Sequence, residues 1–328
     1  MEPLERRFVP AQPVDLRLTL AVHRRGPGDP TMRFSRDGST WRTSRTPEGS
    51  ATLRRMADAD GIRAQAWGPG AGWAIEQAPE LIGADDDPGD FAALVAAARS
   101  PLLATLLARY HAIRVGRTGR VLEALVPAII EQKVTGDEAR SAFVALVRRH
   151  GEPAPGPWEA EGRHAPGPWQ DTAGAARSPA PMWVAPAPEL LAGLPGYAYH
   201  PLGLERRRAD AIRFAASRAT RVEECASIPL RDAYARLRAL PLVGPWTAAE
   251  VGLRALGDPD AVSVGDFHLG PAVCWALARE AHGTDERMLE LLAPFAGHRA
   301  RVIRLIEAAG VHAPRRGPRM APTPIAGI

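Results

Sequence analysis

The sequence predicts an α+β protein, with an antiparallel β-rich N-terminal domain followed by an all-helical region. Three observations carry this. Over residues 1–86, short segments mixing apolar and polar residues are separated by Gly, Pro and Asp clusters, the pattern of a sheet with tight turns. From about residue 88, apolar residues recur at three- and four-residue spacing, the period of helices with one buried face. Between 151 and 187 that period breaks down in a Pro-, Gly- and Ala-rich stretch where APGPW occurs twice, at 154–158 and 165–169.

Taken in order, VDLRLTLAV (14–22) sets Val14, Leu16, Leu18, Leu20 and Val22 on one face of an extended chain and reads as a half-buried strand. TMRFS, STWRT, ATLRRM, IRAQAW and GWAIEQ read as further strands of the same sheet. The helical part begins over 87–150 with FAALVAAARSPLLATLLARY, VLEALVPAIIEQ and GDEARSAFVALVRRH. The 151–187 stretch reads as an insertion loop, in which Trp158 and Trp169 are either low-complexity loop residues or contacts. Helices resume over 188–312 in ELLAGL, ERRRADAIRFAASRA, LRDAYARLRAL, TAAEVGLRAL, DFHLGPAVCWALARE, ERMLELLAPF and RARVIRLIEAAG. The tail 313–328 has no period and reads as flexible.

Composition narrows the class. The chain is 45% hydrophobic and 24% charged, which allows a core of useful size. No apolar run of about 18 residues exists, so no membrane span is expected. MEPLERRFVP lacks the apolar stretch of a signal peptide, so a cytoplasmic, nucleoid-associated location is expected. Cys225 and Cys274 are the only cysteines, which argues against a disulfide scaffold and a four-cysteine iron–sulfur cluster. A net charge of +4 permits nucleic-acid binding without requiring it. Lys133 is the sole lysine among 41 Lys and Arg residues, so lysine chemistry has a single candidate.

The informative stretch is LPLVGPWT at 240–247. Pro241 stops one helix, Gly244 allows a positive φ or a close backbone approach, and Pro245 suits the first turn of the next helix. Such a turn presents free N–H groups at a positive helix terminus, where a phosphate fits; an ordinary helix–helix corner has the same turn chemistry. Further on, SVGDFHLG sets Asp266 between an apolar segment and an apolar helix, where an aspartate can be an N-cap, a catalyst or both. Asp258 and Asp260 (GDPDA) read as turn residues, and no Cys/His cluster supports a metal.

These stretches resemble the helix-hairpin-helix DNA glycosylase superfamily, whose hairpin runs roughly L-P-G-[VI]-G-x-x-T-A. Leu240, Pro241, Val243, Gly244, Thr247 and Ala248 match; Leu242 stands where the first glycine usually does, and Pro245 replaces a variable residue. AIIEQKVTGDEAR (128–140) resembles the family's apolar helix ending in Q-x-[VT]-[ST], matched by Gln132, Val134 and Thr135. LERRRADAIRFAASRA and PFAGHRARVI resemble further family segments more weakly. The resemblance covers about 105–310, and the β-domain in front resembles the inducible, broad-specificity 3-methyladenine type. It implies a core of two helical subdomains, no cofactor, and a monomer acting on double-stranded DNA with damaged bases.

The resemblance also assigns roles. Asp266 becomes the carboxylate that stabilises an oxocarbenium-like transition state and orients water. Members that also cut the strand carry a lysine where this chain has Trp246, so a monofunctional hydrolase is implied. Trp246 suits stacking on a cationic alkylated purine. Glu250, at i+4 from Trp246, with Phe267 and Gln132, completes the expected base pocket. Leu242, Val243, Gly244, Thr247, Thr135, Arg206, Arg207 and Arg208 are the expected DNA contacts, and Lys133 holds the place of a residue wedged into the gap left by a flipped base. Lys133 also reads as a solvated helix-end residue, His268 as surface or DNA-facing, and Trp275 and Phe295 as pocket or core. Three other readings stay open: a glycosylase for an oxidised or deaminated base, a non-catalytic DNA-damage-binding protein, and a helical transcription regulator, which the basic clusters allow although nothing resembles a recognition helix.

Overall fold

The computed structural model describes residues 2–157 and 181–314. Five strands, β1 (Leu4–Phe8), β2 (Met32–Phe34), β3 (Thr40–Thr46), β4 (Gly49–Asp58) and β5 (Gly61–Trp67), form one sheet in the order β1-β5-β4-β3-β2. Every pair is antiparallel, as expected for this domain. Thr46 faces Gly49 across one two-residue turn and Asp58 faces Gly61 across the next. Gly49 (φ +124°) and Gly61 (φ +129°) close them in a conformation that side chains rarely adopt.

Two segments expected as strands are helices. VDLRLTLAV forms α1 (Leu16–Leu20) and a 3₁₀ turn over Ala21–His23. The Asp15 carboxylate caps it by accepting from the Leu18 amide at 2.9 Å, and Leu16, Thr19 and Leu20 turn inward at helical spacing. Strict alternation has the period of a strand, but the Asp15 cap starts a helix here, and of the five alternating residues only Leu16 and Leu20 are buried. GWAIEQ lies in α2 (Ala71–Leu81), whose buried residues Ala71, Ala74, Ile75, Ala78 and Leu81 keep the helical period. The alanines hide that period from a count of large apolar residues. Together α1 and α2 cover Leu53, Ile62, Ala64 and Ala66 on the inner face of the sheet. The edge strand β1 escaped notice because LERRF is polar and mostly exposed.

On the outer face Trp41 stacks on Trp67 with ring centroids 5.5 Å apart. A short ribbon of β6 (Glu152–Pro153) and β7 (Trp183–Val184) lays Ala154, Met182 and Val184 over this pair. The two ends of the expected insertion loop are therefore built into the sheet domain. Trp158, the second APGPW with Trp169, and residues 315–328 of the expected tail lie outside the described residues.

Helices α3 (Phe91–Ala97), α4 (Pro101–Arg109), α5 (Val121–Ile130), α6 (Gly136–His150), α7 (Pro188–Gly193), α8 (Arg206–Ala216) and α9 (Ala219–Glu223) follow, then α10 (Leu230–Arg238), α11 (Pro245–Val251), α12 (Leu269–Ala278), α13 (Asp285–Leu292) and α14 (Arg299–Ala308). The single apolar run from Phe91 to Tyr110 splits because Ser100 caps a new helix with Pro101 in its first turn. Two cores result: α5–α11 share one, and α3 and α4 share the other with α12–α14. No helix among the described residues is long and apolar enough to cross a membrane.

Helix α5 is the centre of this arrangement. Nine of its ten residues are buried, as an all-round apolar sequence demands. Each fully buried Leu, Ile or Val contributes about 1.5–3 kcal/mol relative to exposure. The tenth, Glu123, accepts from the Arg42 guanidinium at 2.7 Å, the Ser44 hydroxyl at 2.8 Å and the Arg45 amide at 2.5 Å, tying the helix to β3. Its ends are closed from a distance. The Glu223 carboxylate accepts from the Val121 and Leu122 amides at 2.9 and 3.1 Å, and the Arg208 guanidinium donates to the Ile130 carbonyl at 2.8 Å.

After α11 the chain widens into a π-helical turn over Gly252–Leu256. A Cβ on Gly252 would overlap the Tyr234 hydroxyl, which donates to the buried Asp258 carboxylate at 2.6 Å. Gly252→Ala is therefore expected to destabilise the fold by about 1–3 kcal/mol in chemical denaturation, the usual cost of overpacking.

Candidate active site

The hairpin joins α10 to α11. The Val243 amide donates to the Leu240 carbonyl at 3.2 Å, and Gly244 stands at the N-cap of α11 with Pro245 in the first turn. No side chain caps this helix, so its first amides face outward without an intrahelical partner. A Cβ on Gly244 would meet nothing within 4 Å, so the approach to these amides is open. Of the two uses open to Gly244, a positive φ and a close backbone approach, the first is not taken: φ −86° and ψ −174° are extended backbone that any residue adopts. Leu242 takes the positive φ instead, at +63°, in the place where the family pattern has glycine. That conformation costs a residue with a Cβ about 1–2 kcal/mol. Packing of the Leu242 side chain against the α5–α11 core offsets it.

The loop between α5 and α6 meets the hairpin. Gln132 Nε2 donates to the Leu242 carbonyl at 2.8 Å and to the Thr247 hydroxyl at 2.7 Å. Thr247 is 2% exposed, so Gln132 satisfies a buried hydroxyl and the strained turn at once. Gln132, expected in the base pocket, is thus the clasp of the hairpin. Beside it Lys133 is exposed with φ +54°, at the tip of its turn. Thr135 caps α6 in a reciprocal box with Glu138.

Asp266 lies across from the hairpin. Its Oδ1 accepts from the amides of His268 at 2.8 Å and Leu269 at 3.0 Å, the entry to α12. Its Oδ2 accepts from Trp246 Nε1 at 3.1 Å. Three donors from two elements therefore fix a half-buried carboxylate beside the first turn of α11. Phe267 next to it is 86% exposed and meets His268 edge-on at 5.0 Å.

Glu250 shares the Trp246 face of α11 but both its oxygens are engaged. Oε2 pairs with Arg254 at 2.5 Å and Oε1 accepts from the Ser263 hydroxyl at 2.6 Å. Among the three expected arginines, the Arg206 side chain is 93% exposed and Arg207 is exposed. Arg208 corrects the expectation: it is 3% exposed, and the buried carbonyl of Ile130 at the end of α5 claims its guanidinium. Phe295 is core, at 2% exposure. Asp258 and Asp260 do more than turn the chain, since Asp260 pairs with Arg299 at 2.5 Å and Asp258 receives Tyr234.

Sequence reasoning missed Ser263, Arg254 and Glu223. Only Arg254 left a signal, as the i+4 partner of Glu250. A cleft lies elsewhere, between the sheet and α5, where Arg42, Arg120, Glu123 and Glu223 line it and are already paired as Arg42–Glu123 and Arg120–Glu223. Among the described residues no group of three or more His, Cys, Asp or Glu could hold a metal ion.

No family model matches the chain. It is 28% identical over 190 residues to the probable bifunctional transcriptional activator/DNA repair enzyme AlkA of Mycobacterium tuberculosis, a match covering 58% of this chain and 34% of that protein. The chain thus spans about a third of that relative's length. Among solved structures, the 3-methyladenine DNA glycosylase of Archaeoglobus fulgidus superposes with a TM-score of 0.72 at 18% identity, covering 92% of this chain and 97% of the other. The 8-oxoguanine glycosylase/lyase of Clostridium acetobutylicum superposes at 0.64 with 11% identity, covering 94% and 96%. The resemblance read from the sequence is borne out at the level of fold: a sheet domain followed by a helical core, as in these glycosylases.

Gln132→Ala strips the buried Thr247 hydroxyl and the Leu242 carbonyl of their donor. Chemical denaturation is expected to show a loss of about 1–3 kcal/mol, the cost of leaving such groups unsatisfied; an unchanged midpoint would remove Gln132 from the clasp.

Proposed function

We propose that the chain is a monofunctional base-excision DNA glycosylase that hydrolyses the N-glycosidic bond of alkylated purines such as 3-methyladenine. The observation that carries this is the Asp266 carboxylate held by Trp246 and by the entry to α12, beside an uncapped hairpin helix. The fold shared with a 3-methyladenine glycosylase and the sequence likeness to a DNA repair enzyme support it.

In this reading the first amides of α11 take a DNA phosphate, Arg206 and Arg207 approach neighbouring phosphates, and Lys133 enters the gap left by the flipped nucleotide. The Trp246 indole edge is spent on Asp266, which leaves its ring faces for an electron-poor purine. The bond from C1′ to the base breaks and its electron pair leaves with the base. An alkylated purine carries a positive charge beforehand and departs neutral. Positive charge grows on the sugar, where the fixed carboxylate stabilises it. Water adds to C1′ and its proton passes to Asp266, leaving an abasic site. Trp246 stands where strand-cutting relatives have lysine, and Lys133 is on a different loop.

Wild type is expected to release 3-methyladenine from methylated duplex DNA. Asp266→Asn is expected to lower the rate on the order of a hundredfold or more, as loss of a central electrostatic group does. Borohydride added during turnover is expected to trap no covalent adduct. An adduct at Lys133 would sink the water mechanism, and damage-dependent binding without release would make the protein a sensor.

A further inference from the structure

A buried polar chain joins the N-terminal sheet domain to the segment that carries Asp266, apart from the Arg25–Glu131 pair (2.5 Å) beside the Gln132 clasp. Arg254, in the π-helical turn, donates from Nε to the Val22 carbonyl at 2.9 Å, just after α1. Its Nη1 meets Glu250 Oε2 at 2.5 Å, and the two side chains are 14% and 12% exposed. The Ser263 hydroxyl donates to Glu250 Oε1 at 2.6 Å, and the Asp266 amide donates to the Ser263 carbonyl at 3.2 Å. Burial opposes the charge of Arg254, but Glu250, Glu131 and Glu307 outweigh it and raise its pKa above the usual guanidinium range. A second anchor lies alongside, where Arg304 donates to the Leu18 carbonyl at 2.7 Å.

We infer that Arg254 is a positioning residue: through Glu250 and Ser263 it locks the segment carrying Asp266 to the sheet domain and to α11. Trp246 holds Asp266 Oδ2 from the N-terminal end of α11, while Glu250 holds the 263–266 segment from one turn later. Two grips from one helix fix both the position and the tilt of the carboxylate. Glu250 and Arg254 are committed to each other, so neither is free to read a base. π-helical turns are common at functional sites because the extra residue re-aims a side chain; here it is Arg254 that reaches Val22. The catalytic consequence rests on the glycosylase reading, but the mechanical link does not.

The test uses the full chain with 15N-labelled tryptophan. The Trp246 indole N–H resonance, assigned with Trp246→Phe, reports the bond to Asp266 whether or not any base is released. Ser263→Ala cuts the chain and leaves the Glu250–Arg254 pair intact, so the fold survives even if Arg254→Met does not. In Ser263→Ala the indole signal is expected to move towards its place in Asp266→Asn. Single-turnover release of 3-methyladenine is expected to fall on the order of tenfold to a hundredfold, as small displacements near reacting atoms do. DNA affinity should stay near wild type and the protein should stay folded at the assay temperature, Ser263→Thr should keep both signals at their wild-type places, and Arg254→Met should add little to Ser263→Ala. An unmoved indole signal in Ser263→Ala, or rate losses of the two variants that multiply, would overturn the inference. A wild type that releases no base would sink the glycosylase reading while the indole signal still decides the link.

Discussion

A helix that is apolar on every side must have both ends closed by something other than water. That demand on α5 organises the helical half of the molecule. Glu223 reaches from α9 to its first amides and Arg208 from α8 to its last carbonyl, while Glu123 draws the sheet against its flank. A buried end without such partners would leave several polar groups desolvated, each costing about 1–3 kcal/mol. With α5 fixed, the loop beyond it is fixed, and Gln132 can clasp the hairpin. The site is downstream of these closures, because Trp246 and Thr247 inherit their places from α5.

The site is split between two cores. The hairpin belongs to the α5–α11 core, and Asp266 leads into α12 of the other. Each wall of the site is therefore shaped by its own core. The split also means that the carboxylate must be carried across a boundary and held there. The indole of Trp246 and the Ser263–Glu250 bond hold it, both reaching from α11.

What could be read from the sequence follows from how local each signal is. The hairpin, the Asp266 turn and the apolar run of α5 are local patterns, and they fall at a helix–helix corner, a helix start and a buried helix, although Leu242 rather than Gly244 takes the positive φ. The period of α2 was masked by alanine, and α1 carries the alternation of a strand, which its Asp15 cap overrides. Arg208 belongs to a run of three arginines that reads as a basic patch, yet two residues, about half a helical turn, carry the chain from an exposed Arg206 to a buried Arg208 on the opposite face. Tertiary partners such as Ile130 and Val22 leave no mark near the residues that seek them. The company Gln132 keeps, the carbonyl of a strained residue and a buried hydroxyl, is likewise set by a segment far along the chain.

The pairing of α3 and α4 with α12–α14 bears on how the protein is made. The first two helices emerge from the ribosome long before their partners, and the whole α5–α11 body is synthesised in between. Until then α3 and α4 have only each other to pack against, so this subdomain closes only after α12–α14 are made. The α5–α11 body can collapse first, from contacts that lie closer in sequence. The order of synthesis would then make a clasped hairpin before Asp266 exists, and α12–α14 would bring the other wall of the site.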